Sequence, residues 1–286
     1  MTSPGSPWAF HVDADVVALI VVLATTYWWA LRNVGPRLAP RSNRPASRTQ
    51  TVSFGLGLAS IWLGSGWPLH ELADRWLYSA HALQHMLYGL VSAPLLLAGT
   101  PGWMLRALLG RGVLLRVARG VTRPLVAFVV FNGTMVLMHW PAVVQAMVDT
   151  PALHAALHGV TLGAGIVMWM PLLSPLPELP RLTPPANLLY LFLQSILPTV
   201  PASFLTFGET VLYPHYDVLP RLWGISAIAD QQVAGLLMKV GAGFLLWGMI
   251  AVLFFAWQAE EDASGRGRDL DFDELELELT RMGTSG

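Results

Sequence analysis

The feature that most constrains this chain is the recurrence of long apolar runs, too many and too long for the interior of a soluble domain. One of them, Tyr78–Gly99, carries no Asp, Glu, Lys or Arg along its length. Seven segments read as membrane spans: 14–31, 51–67, 76–98, 124–140, 152–173, 186–207 and 228–257. At about 1.5 Å per residue these lengths suit a hydrocarbon core of about 30 Å. Only 12% of the residues are charged, where a soluble domain has about a quarter. A water-soluble helical bundle would lack the polar side chains to cover its surface. The expected fold is all-α: a polytopic membrane protein built as a seven-transmembrane-helix bundle.

Details of the segments fit that reading. The first lacks a basic stretch ahead of it and a small-residue cleavage site after it, so it reads as a retained helix. The second is short and carries Gly55, Gly57, Gly64 and Gly66, which allow close helix packing in lipid. Pro198 and Pro201 should kink the sixth.

Basic residues set the orientation. Arg32, Arg37, Arg41, Arg44 and Arg48 follow the first span, and Arg106, Arg111, Arg116, Arg119 and Arg123 follow the third. The N-terminus and the even-numbered connections offer Asp13, Asp15, Glu71, Asp74, Asp149, Glu209 and Asp217 instead, with few basic residues. The expected topology is N-terminus outside and C-terminus cytoplasmic. Residues 1–13 then form an extracytoplasmic N-terminus and 14–257 the transmembrane domain. The acidic stretch 258–286 reads as a disordered cytoplasmic tail. Residues 103–119 mix Leu and Val with spaced Arg, as an amphipathic segment on the lipid surface does.

Composition also excludes whole classes of chemistry. With no cysteine there can be no disulfide, thiolate metal site or Cys nucleophile. A net charge of −1 leaves no basic excess for nucleic acid. A metal held here must use His, Met, carboxylate or backbone ligands.

The histidines are where that possibility gathers. His81 and His85 stand one helical turn apart inside the third span, where an ionisable residue is expensive and marks function. With the topology above, His11, His70, His81, His85, His139, His154, His158 and His215 all fall in the outer half. Stripes at helical spacing (His81, His85, Tyr88 and Ser92; Asn132, Met135 and His139; His154, His158 and Thr161) should face the bundle interior.

Either His-x-x-x-His pair alone is as readily a packing contact as a ligand set. Two pairs plus His139 put five imidazoles on three helices, and ligation becomes the better reading. Imidazole suits copper, zinc and haem iron, whereas thioether sulfur favours Cu(I). Met86, Met135 and Met238 lie near these histidines in the sequence, although methionine is also ordinary core filler. Copper is favoured, with haem ligated by facing His pairs as the alternative. A His proton relay, as in a transporter, is a further alternative. Zinc hydrolysis of the His-Glu-x-x-His type is disfavoured, because Ala82 stands where the general base would be. No nucleophile–base arrangement is visible, so the chain is not expected to be an enzyme.

Several blocks also resemble a known family. His81-Ala-Leu-Gln-His85-Met86 followed by Ala93-Pro94-Leu95-Leu96 and Gly99-Thr100-Pro101 is similar to the signature of the polytopic CtaG family of cytochrome c oxidase assembly factors. So are His139-Trp140-Pro141, the Pro151–His158 block, Leu212-Tyr213-Pro214 with Tyr216, and the run from Ala229-Asp230-Gln231-Gln232 to Met238. The resemblance spans residues 60–257 in order. It implies a multi-pass protein of the bacterial plasma membrane that helps mature a haem–copper oxidase by handling copper on the outer side. Its partners would be cytochrome c oxidase subunits and a copper donor protein. One position departs from the family pattern: Lys239 follows Met238 where the family places an aromatic residue.

Together these readings assign metal ligation to His81, His85, His139, His154, His158 and Met238. Asp230 is expected to orient an imidazole, with Tyr88 beside it.

Overall fold

The protein is described from a computed structural model that covers residues 6–8, 10, 12–39 and 45–283, with side chains up to residue 263. His11, Arg41 and Arg44 lie outside the described residues, as do the acidic side chains beyond Ala263. Among the described residues there is helix and no strand.

The helices are α1 (Ala14–Leu38), α2 (Arg48–Ser65), α3 (Leu69–Arg75), α4 (Tyr78–Gly99), α5 (Gly102–Leu109) and α6 (Val113–Val121). They continue as α7 (Pro124–Met138), α8 (Pro141–Asp149), α9 (Pro151–Leu173), α10 (Pro184–Phe207), α11 (Pro214–Val218) and α12 (Ala227–Ala263). The kink expected in the sixth segment is present: α10 is built of Pro184–Ile196 and Thr199–Phe207, which meet at Pro198.

Among the described residues five helices are long and apolar enough to cross a membrane: α1, α4, α9, α10 and α12. A sixth arises if α6 and α7, bent by 80° at their junction, count as one broken span. The sequence reading expected seven. The difference lies in two segments. The second corresponds to α2, where Gly, Ser and Thr dilute the apolar character, and the fourth to α7, which has only 15 residues. In the tail the backbone is helical as far as Gly283, through a run rich in the strong helix formers Leu and Glu.

The centre of the bundle is α4. It packs against α2, α9 and the start of α12, and 56% of its most apolar window is buried, against 6% for α1 and 11% for α12. The outer helices turn Val17, Leu19, Trp28, Phe204, Phe244 and Phe255 outward, as a lipid-facing surface requires. The approach of α4 to α9 depends on Gly165. A Cβ on Gly165 would lie 2.8 Å from Gly89 Cα, so only glycine allows the backbones this close. Thr161, Ser92, Gln84 and Gln194 are fully buried in this interior.

Two π-helical turns interrupt the inner helices, Leu87–Ser92 in α4 and Leu237–Gly241 in α12. Such turns change the register of the side chains and often lie near functional residues. The turn in α4 frees carbonyls from the helical ladder, and the Trp169 indole donates to Gly89 O at 3.0 Å.

Both α4 and α9 begin at the histidine end of the bundle and finish at the arginine end, while α7 runs the other way from Arg123 to His139. At the arginine end Arg106 binds both carboxylate oxygens of Glu178, which holds that carboxyl below the usual carboxylate range. The expected amphipathic segment divides into α5 and α6, with Leu108, Val113, Leu114 and Val117 exposed.

Candidate metal centre

The N-terminal turn of α4 is held by a carboxylate from another helix. Asp230 accepts from the backbone N–H of Tyr78 at 2.6 Å, from that of Ser79 at 3.2 Å, and from the Ser79 hydroxyl. Helix-end N–H groups have no partner within the helix, and a carboxylate there satisfies them while complementing the dipole. This corrects the sequence reading of Asp230 as a partner of an imidazole. It caps the helix that carries His81 and His85, and so fixes where they start.

From that anchored turn, His81 and His85 project on one face, with ring centroids 4.6 Å apart. Both are buried, and both ring nitrogens of each have no hydrogen-bond partner. Four orphaned buried nitrogens are unusual, because an unsatisfied buried polar atom costs about 1–3 kcal/mol.

The second pair arrives from α9. His158 lies 5.6 Å from His81 and 5.2 Å from His85, ring to ring. Ligand atoms of His81, His85 and His158 all lie within 4.8 Å of one another, close enough to share one ion. With metal–imidazole bonds of about 2.0–2.1 Å, small side-chain rotations would bring all three onto a common centre. His154 sits 5.4 Å from His81, and its Nε2 is 3.1 Å from Nε2 of His158, so one of these rings donates to the other.

Sequence reasoning passed over two neighbours of this group. Asp74 Oδ1 is 4.0 Å from His154 Nδ1, and the His70 ring is 6.1 Å from that of His154. Both stand on α3, a short helix folded across the start of α4. The only signal was local, a His and an Asp at i, i+4 in a connection. Asp74, rather than Asp230, is the carboxylate beside an imidazole.

These residues face a vestibule of about 560 Å³ lined by Asp15, His70, Asp74, Tyr88, His154 and His158. The Tyr88 ring lies tilted against His158 at 5.0 Å, but its hydroxyl pairs with Ser65 at 2.8 Å, so it borders the site without bonding an imidazole.

On the other side of His85 lies a smaller cavity of about 40 Å³, lined by His85, His139, Met86, Met135 and Met238 among apolar side chains. His139 is 5.9 Å from His85, and its Nδ1 donates to Met135 O at 2.6 Å. That bond leaves Nε2 as the lone-pair nitrogen. The structure therefore divides the expected ligand set. His81, His85, His154 and His158 cluster together, while His139 and Met238 meet only His85.

Lys239 does not intrude on this cavity. Its Nζ lies 5.7 Å from the Phe207 ring, in a separate groove between α10 and α12. The π-turn at Leu237–Gly241 separates it in direction from buried Met238.

A roof of tyrosines closes the histidine end. Tyr78 packs on Tyr213 and Tyr216 at 4.3 and 5.1 Å. Tyr213 donates to His139 O at 3.0 Å, and Tyr216 to Ala73 O at 3.1 Å. Burial pushes both of these phenols above the usual tyrosine range, which keeps them neutral donors. His215 stands apart, its ring against Tyr216.

The family model of the cytochrome c oxidase caa3 assembly factor (Caa3_CtaG) matches residues 25–260. No curated protein and no solved structure matches the chain. The match takes in every described histidine and runs from within α1 nearly to the end of α12: the chain belongs to the cytochrome c oxidase caa3 assembly factor family.

Proposed function

We propose that this assembly factor binds a copper ion through His81, His85 and His158 and passes it to a cytochrome c oxidase subunit in the bacterial plasma membrane. The observation that carries the reading is the set of four orphaned imidazole nitrogens on His81 and His85, within reach of His158. Neutral imidazoles without protein partners are what a soft or borderline ion needs. Copper is cargo here, so the protein acts as a chaperone and not as an enzyme.

In this reading α2 and α7 are short spans that pack one face on the bundle and turn the other outward through Leu56 and Trp62 or Leu125 and Val129, which completes seven crossings with the N-terminus outside. The vestibule is then the route by which the ion arrives from a donor protein on the outer side. His154 receives it, oriented by Asp74 as carboxylates orient metal-binding imidazoles. His154 and His158, already in contact, hand it inward.

Copper is favoured over haem by the crowding of the rings, which stand 4.4–5.6 Å apart among His81, His85, His154 and His158 and leave no slot for a macrocycle. Metal analysis and an absorption spectrum of the detergent-purified chain test this. Copper without a Soret band is expected. A Soret band with iron and no copper would sink the assignment.

A further inference from the structure

The small cavity beyond His85 has a chemistry of its own. Three thioethers, from Met86 on α4, Met135 on α7 and Met238 on α12, converge on it from three helices. Methionine used as filler closes gaps; here three methionines surround space that stays open. Gly241 supports the arrangement, since a Cβ there would come within 3.0 Å of the Met86 methyl.

The nitrogen ligands are equally specific. The Nδ1 bond of His139 to Met135 O ties one ligand residue to the backbone of another and presents Nε2 as acceptor. His85, with both nitrogens orphaned, stands between this cavity and the histidine cluster. The remaining polar side chain of the lining, Gln194, is already engaged: its amide donates to Tyr190 and its oxygen accepts from Asn132. What the cavity offers is therefore sulfur and imidazole, with no carboxylate and no free amide.

We propose that Met86, Met135, Met238 and His139 form a second metal position, distinct from the His81/His85/His158 group and selective for Cu(I), with His85 shared between the two. Thioether sulfur selects Cu(I) over divalent ions, and a chain without cysteine has no softer ligand. The inference rests on the copper reading above and assigns the protein two positions of different softness. The outer one is rich in nitrogen and open to the vestibule. The inner one is rich in sulfur and lies between α4, α7, α10 and α12.

The test uses the full chain in detergent. It is titrated without reductant, once with Ag(I), a redox-silent stand-in for Cu(I), and separately with Cu(II). The triple variant Met86→Leu, Met135→Leu, Met238→Leu, nearly isosteric at each position, should lose the bound Ag(I) and keep Cu(II) at the histidine group. Unchanged Ag(I) occupancy and affinity in that variant would overturn the proposal. If the variant does not fold, X-ray absorption of the Cu(I)-loaded wild type decides. Sulfur scatterers are expected, and a shell of nitrogen alone refutes the inner position. Wild-type protein that binds neither ion refutes the copper reading itself, whereas Cu(II) bound with sulfur-free Cu(I) refutes only the inner site.

Discussion

Two pairs of histidines with the same spacing have come to different ends in this protein. His81 and His85 on α4 are buried, and none of their four ring nitrogens has a partner. His154 and His158 on α9 bond each other at 3.1 Å, and His154 also stands 4.0 Å from Asp74. One pair has no partner in the interior, and the other, at the rim of the vestibule, has one nitrogen of each ring engaged by its neighbour. Spacing places two imidazoles on one helix face, but the neighbouring helices decide whether those imidazoles are free to ligate. In the proposed copper reading the α4 pair with His158 is the binding group, and His154 is the approach to it.

The sharpest way to break this contrast is to remove the unsatisfied pair. His81→Ala with His85→Ala should abolish Cu(II) bound at the histidine group by metal analysis, and full Cu(II) occupancy in that variant would refute the assignment. His154→Ala, at the rim, should weaken copper only about tenfold, the scale of an outer partner. An equal loss from both would erase the distinction between the pairs. A smaller effect is expected from Asp74→Asn: loading slowed a few-fold at low salt, and less at high salt, because an exposed carboxylate acts by screened attraction. Smallest for copper is Asp230→Ala. It should cost about 1–3 kcal/mol of stability by orphaning the first N–H groups of α4, with copper stoichiometry unchanged. Loss of copper at full stability would move that carboxylate into the coordination shell.

Much of this arrangement was legible in the sequence, and the reasons differ by residue. The inward stripes of α4 and α9 follow from helical periodicity and the cost of polar groups in lipid, which is why His81, His85 and His158 could be brought together in advance. Asp74 and His70 could not, because their place depends on α3 folding across the start of α4, a tertiary event with no periodic signal. Asp230 was recognised as important and given the wrong partner. Its carboxylate is nearer to a helix end than to a ring, and helix ends are not visible until the packing is known. The π-turns were also hidden. The stripe of His81, His85, Tyr88 and Ser92 was expected to share one face. The turn at Leu87–Ser92 instead sends the Tyr88 and Ser92 hydroxyls to Ser65 and Ser60 of α2.

The crossing of α4 and α9 at Gly89 and Gly165 has a mechanical consequence. Backbone meets backbone there, and Ala93, Leu97, Met168 and Trp169 pack around the contact. The Trp169 indole on Gly89 O pins the same point. Four imidazoles sit on one pair of arms, and the segment joining α9 to Glu178 and Arg106 extends from the other. The packed crossing therefore ties the spacing of His81 and His158 at one end to the placement of α9 at the other.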